Sequence, residues 1–238
     1  MIKNRSELIS HGFIKGRQKA LDIAEHALQH VDPLAAVKRY VNLDGNMLKV
    51  NEDFFNLKKV NKIYAIGAGK ATYPLAVALE EILGDRITDG FIAIKKGQQN
   101  PFLDMYGALS IIRVAESAHP VPDETSLAAG KEIWHIAEGV GPGDMVFCLM
   151  SGGVSAQSIF PVEDLSFNDK VTINQLLVHC GADVTEIMTV RRHLSRIKGG
   201  RLAPRILPAT VISLTVSDEK TDSMEWNTDW TSPDSSTL

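Results

Sequence analysis

Ile63-Tyr64-Ala65-Ile66-Gly67-Ala68-Gly69-Lys70 is the stretch that decides the fold. Residues 63–66 form a short apolar strand, the closely spaced glycines permit a tight turn, and the apolar pattern over about 71–83 continues as a helix. A strand that feeds a helix through a glycine turn is the building unit of a parallel α/β sheet. Downstream, buried-looking strands follow at 90–94, 109–114, 144–150 and 210–216, interspersed with helical patterns near 124–138, 168–178 and 183–196. This alternation predicts an α/β sheet covered on both faces. Upstream, Ala20, Leu21, Ile23, Ala24, Ala27, Leu28 and Val31 recur at helical spacing, and Asp32-Pro33 ends one helix and opens the next. Residues 1–55 therefore read as a helical lead-in packed against something larger. Residues 218–238 mix Thr, Ser, Asp, Trp and Pro without period and read as an irregular tail.

The 238 residues, 44% of them apolar, are enough for one sizeable domain with an ordinary packed core. A net charge of -4 and a pI near 6.0 argue against a nucleic-acid binder, which needs an extended basic surface. Cys148 and Cys180 show neither pairing nor metal-ligand spacing, which fits free thiols in a reducing cytoplasm. The first residues lack the apolar core of a signal peptide, and no apolar run is long enough to cross a bilayer, so no membrane partner is expected.

In open α/β sheets ligands lie beyond the carboxyl ends of the strands, and four polar clusters occupy that place in the sequence. Gly67, Gly69 and Lys70 offer backbone amides, a helix start and a cation to a phosphate or carboxylate; they also fit a plain strand-to-helix turn. Ala71 after Lys70 excludes a Walker P-loop. Thr72 and Pro74, with Lys95-Lys96 ending the next strand, leave the dinucleotide fingerprint incomplete. In His119-Pro120-Val121-Pro122-Asp123 two prolines stiffen a loop that presents His119 and Asp123, although Asp123 equally suits the N-cap of the following helix. Ser151-Gly152-Gly153-Val154-Ser155 reads as an anion cradle and lacks the nucleophile elbow of a serine hydrolase. Ser217-Asp218, with Glu219 and Asp222 close by, could hold Mg²⁺ or orient a hydroxyl, or form a solvated acidic turn.

A fifth cluster runs from Glu186 to Arg201. On a helix from Asp183, residues Val184, Ile187, Met188 and Leu194 make an apolar stripe, while Asp183, Glu186, Val190 and His193 line another. Arg191, Arg192, Ser195, Arg196, Lys198 and Arg201 supply donors for a small anion, and Gly199 and Gly200 let backbone approach it; a solvated basic helix with a glycine cap is the alternative. His26, His30, His135 and His179 lie in helical stretches without ligand spacing.

Gly67-Ala68-Gly69-Lys70-Ala71, Ala118-His119-Pro120-Val121-Pro122-Asp123, Ser151-Gly152-Gly153 and the run from Gly181 to Ala203, in this order, resemble the amino-terminal domain of the type II glycerate kinases, the glycerate 2-kinase family. The resemblance implies a Rossmann-like, three-layer α/β/α sandwich with a mostly parallel sheet over residues 1–238. It also implies a smaller carboxy-terminal domain lying outside this chain, and a cleft where ATP, Mg²⁺ and D-glycerate meet to give 2-phosphoglycerate. Carried over residue by residue, Lys70 and Arg191 supply charge to phosphate and carboxylate, and Asp218 holds Mg²⁺ or orients the hydroxyl. Gly67, Gly69, Ser151, Gly152, Gly153, Lys198, Gly199 and Gly200 hold ATP; His119, Asp123, Glu186 and Arg201 face the hydroxy acid. Val154 and Gln157 stand where the family carries glycine and leucine. A separate carboxy-terminal domain or a second copy of the chain would be the protein partner. A non-catalytic anion-binding module and an NAD(P)-dependent hydroxypyruvate reductase remain alternatives.

Overall fold

In the computed structural model, which describes residues 2–217, 230–234 and 236, the chain opens with helices α1 (Arg5–Leu8), α2 (Ile14–His30) and α3 (Pro33–Tyr40). An antiparallel meander follows, β1 (Val41–Asp44), β2 (Met47–Val50) and β3 (Asp53–Asn56). Strands and helices then alternate: β4 (Ile63–Ala68), α4 (Thr72–Leu83), β5 (Ile87–Lys95), α5 (Gln99–Tyr106), β6 (Ile112–Ser117), α6 (Glu124–Glu138), β7 (Met145–Ser151) and the short α7 (Val154–Gln157). After these come α8 (Phe167–His179), α9 (Val184–His193), α10 (Ala203–Ile206) and β8 (Thr210–Val216).

Strands β4 to β8 form one five-stranded sheet in the order β6-β5-β4-β7-β8, with every neighbouring pair parallel. All carboxyl ends therefore lie along one edge. Strands β4 and β7 are buried along their whole length, which is why they read as continuous apolar runs. Their side chains alternate between two cores: Ile63, Ala65, Met145, Phe147 and Leu149 face α4, while Tyr64, Ile66, Ala68, Val146, Cys148 and Met150 face α6. The α/β/α sandwich with a parallel sheet is thus as expected. At Gly67 the backbone of β4 passes so close to β7 that a Cβ would lie 2.6 Å from the Leu149 carbonyl oxygen, so only glycine fits.

Several expectations need correction. The lead-in is helical only to Tyr40, because Asp44-Gly45 turns the chain into a hairpin with Gly45 at φ 54°. Helix α2 buries none of its residues, and Ile23 and Leu28 stay exposed. Helix α5 was not anticipated, and β6 starts at Ile112 rather than 109. The helix expected over 183–196 stops at His193, since Ser195 pairs with Pro161 in an isolated bridge and the Arg196 amide donates to the Phe160 carbonyl (2.8 Å). The carboxy-terminal segment remains irregular at 230–234 yet is docked: Trp230 is fully buried beside Ile197, Leu202 and Ile206 in the α6-side core.

Candidate active site

The glycine turn after β4 is locked to the end of β7. The Gly69 amide donates to the Ala93 carbonyl (3.1 Å) and the Lys70 amide to the Gly152 carbonyl (2.9 Å). The Ser151 hydroxyl accepts from the Ala71 amide (2.9 Å) and shares a 3.2 Å hydrogen bond with the Thr72 hydroxyl. Gly69 has φ 138°, and a Cβ there would lie 2.1 Å from Ser151 Oγ, so this approach also requires glycine. Ser151 and Gly69 thereby form the clamp that shapes the turn. The Gly152 and Gly153 amides donate to no described residue. Over them lies the Lys70 side chain, whose ammonium has no hydrogen-bond or ion-pair partner among the described residues. A Cβ on Gly152 would stand 3.5 Å from Lys70 Cε, which makes this a cradle that side chains would fill.

His119 follows β6 and reaches the same loop: its Cδ2 and Lys70 Cγ would lie 3.1 Å and 3.3 Å from a Cβ on Gly153. Burial, then the charges of Lys70 and Lys95, push its imidazole below the ordinary histidine range, so it is held neutral. Asp123 is the N-cap of α6, accepting from the Thr125 amide (2.9 Å) within a capping box completed by Ser126. Burial opposes its ionisation, but the Lys96 and Thr125 hydrogen bonds prevail and draw its pKa down to about 2. Its carboxylate is thus committed to structure. Glu186 is likewise spent on a capping box, its carboxylate accepting from the Asp183 amide (2.9 Å).

The basic run divides. Arg191 gives its Nε to the Asn174 side chain (3.2 Å), and Arg201 caps the end of α9 through the His193 and Ser195 carbonyls (2.7 and 3.0 Å). Lys198, 2% exposed, donates to the Ser158 carbonyl just after α7, and Lys170 of α8, 3% exposed, donates to the Arg191 carbonyl (3.1 Å). None of these four cations meets a carboxylate among the described residues. Burial, reinforced by their neighbours, lowers Lys198 well below the usual lysine range and Lys170 to about 8; burial also lowers Arg191. By contrast, Arg192 pairs with Asp234 (3.2 Å). Gly199 and Gly200 do not open onto an anion: Cβ atoms there would strike Asp234 (3.2 Å) and the Ser232 carbonyl (2.5 Å), so they seat the docked segment. Asp218, Glu219 and Asp222 lie outside the described residues, as does any test of the Mg²⁺ expectation resting on them.

A family model described as "Domain of unknown function (DUF4147)" matches residues 19–227. The chain belongs to that family. It is 37% identical over 210 residues to a glycerate 2-kinase of Pyrococcus horikoshii, an alignment covering 88% of this chain and 45% of the relative. A putative hydroxypyruvate reductase of Agrobacterium vitis is 39% identical over 153 residues, covering 64% and 33%. The crystal structure of glycerate kinase from Thermotoga maritima superposes with a TM-score of 0.74 at 30% identity, covering 92% of this chain and 48% of that one. The resemblance seen in the motifs therefore holds, and the chain spans about half the length of the curated glycerate kinases it matches.

In this DUF4147 chain the sheet edge brings together Lys70, His119, Gly152 and Gly153, whereas α7 links that loop to the Lys198 cluster through Ser158. Such a surface can hold an anion against an ammonium and two amides that have no partner among the described residues, beside a neutral imidazole. Sequence reasoning missed Lys170 altogether and treated Gln157 only as a substitution. Lys170 is the one buried residue of α8. No spacing within that helix marks it, because its neighbours come from α9 and the loop beyond.

Proposed function

We propose that this chain forms the amino-terminal half of a glycerate 2-kinase active site, where the γ-phosphoryl group of ATP passes to the 2-hydroxyl of D-glycerate. The observation that carries the reading is the Lys70 ammonium, without a partner among the described residues, above the Gly152-Gly153 cradle at the carboxyl edge of a parallel sheet. In the transfer the hydroxyl oxygen bonds to the γ-phosphorus, the bond to the bridging oxygen breaks, ADP leaves with that oxygen, and the hydroxyl proton passes to solvent. Catalysis of this kind is largely positioning and charge neutralisation. Lys70 and the glycine amides neutralise the charges that meet at the reacting centre, the carboxylate of the hydroxy acid and the moving group, with the neutral His119 beside them. Arg191, Lys198 and Arg201, with Lys170, add a second bank of positive charge. In this reading Asp218 would hold Mg²⁺, which would supply further charge neutralisation to the phosphates.

The names of the Pyrococcus and Thermotoga relatives support the assignment. The reductase alternative is not favoured: β5 runs into Lys95-Lys96, where a dinucleotide site needs an acidic residue for the ribose. A cytoplasmic location belongs to the proposal; among the described residues no helix is long and apolar enough to cross a membrane. The test is ADP release from MgATP and D-glycerate, with the chain alone and with the remaining half of a glycerate kinase added. Lys70→Met is expected to cut turnover by at least about 10²-fold with stability unchanged. An unaltered rate removes Lys70 from the site, and no turnover in either format leaves an anion-binding module.

A further inference from the structure

Gln157 ends helix α7 with its side chain fully buried, and neither Oε1 nor Nε2 has a hydrogen-bonding partner among the described residues. Burying a carboxamide in this way costs free energy that an apolar side chain of similar size would not. The backbone around it is fully used: the Gln157 amide donates to the Gly153 carbonyl (3.1 Å), and its carbonyl accepts from the Ser117 hydroxyl (2.7 Å). The side chain is thereby aimed at the glycine cradle. A Cβ on Gly153 would lie 3.1 Å from Gln157 Nε2, 3.1 Å from His119 Cδ2 and 3.3 Å from Lys70 Cγ, so three side chains converge on one point.

Lys70 and the glycine amides only donate hydrogen bonds, and suit any small anion. The carboxamide differs, since it sets an acceptor beside a donor. An α-hydroxy carboxylate presents the complement, a hydroxyl proton next to a carboxylate oxygen. We propose that Gln157 is a specificity-determining residue that reads this pair, Oε1 accepting from the ligand hydroxyl and Nε2 donating to the adjacent carboxylate oxygen. This rests on the reading that places the ligand's anionic end at Lys70, and adds the element that separates hydroxy acids from plain acids. A site built to hydrogen-bond a hydroxyl discriminates strongly against analogues without it, because its own buried groups are then left unpaired.

The test is calorimetric binding of D-glycerate and of propionate, a three-carbon acid without hydroxyls, to the wild-type chain and to Gln157→Leu, Gln157→Met and Lys70→Met. Both Gln157 variants are expected to weaken glycerate binding about tenfold to a hundredfold. Propionate binding should stay within about twofold, and the melting temperature of the free protein should hold or rise. Glycerate binding that Lys70→Met abolishes and both Gln157 variants retain overturns the role of Gln157 alone. Glycerate binding that survives Lys70→Met, or its absence from the wild type, overturns this inference together with the reading beneath it.

Discussion

Arg192 and Lys198 belong to one basic run, and the fold treats them in opposite ways. Arg192 is buried against Asp234, a carboxylate delivered by the docked segment at 230–234; burial opposes the ionisation of Asp234, but Ser236, Arg192 and His193 hold its pKa below the usual range. Lys198 is buried just as deeply among Lys170 and Arg191 with carbonyl oxygens for company. A buried cation without a counter-charge is unfavourable; among the described residues Lys198 meets none, so the first arrangement supports the fold and the second strains it. The difference teaches that a run of lysines and arginines is not one site. Its members divide according to which of them the rest of the chain neutralises.

Removing the neutralising partner should have the largest effect. Asp234→Ala leaves Arg192 beside His193 without that carboxylate and is expected to destabilise the protein by about 3 kcal/mol in urea denaturation. A loss below about 1 kcal/mol would mean that the two halves of the run are alike after all. Lys170→Met should do the reverse and stabilise the protein, on the order of 2 kcal/mol at pH 7. Because folding lowers the Lys170 pKa from 10.5 to about 8, the unfolded chain binds more protons between those values. Stability of the wild type is therefore depressed below pH 8 and rises as pH increases through that window, whereas the variant should follow a flatter curve. Identical pH profiles would show that Lys170 carries no strain of this kind.

The smallest effect is expected at the other end of the site. Asp123→Ala should cost about 1 kcal/mol as a lost N-cap. The folded pKa of Asp123 is lowered from 3.8 to about 2, so its contribution is present above pH 4 and disappears as pH falls through 2. Wild-type and variant denaturation curves should converge in that range. If the variant changes the KM for D-glycerate and leaves stability untouched, Asp123 belongs to the substrate and not to α6.

Strands buried on both faces were legible because β4 and β7 are apolar on both faces up to Ser151, and their glycine-bearing ends marked the carboxyl edge. The meander was missed because its strands are short and half exposed, even though Asp44-Gly45 carried the hairpin signal. The convergence of Lys70, His119, Gly152 and Gly153 on one edge was legible because each closely follows a strand. The tasks of Ser151, Asp123, Glu186, Gly199 and Gly200 were not, since a residue suited to hold an anion is chemically the same as one suited to cap a helix or seat a turn.

The parallel α/β sheet and the family were written in the sequence alone. These follow from the period of apolar burial and from glycines needed where backbones touch, both local properties of the chain. Only the tertiary structure decided which charges are neutralised and which polar groups stand alone. It gave Arg192 its carboxylate, brought Lys170 and Lys198 to none among the described residues, and set the Gln157 carboxamide beside Lys70 and His119. Whether a polar group is paired depends on what distant segments bring to within a few ångströms of it, and no spacing along the chain encodes that distance.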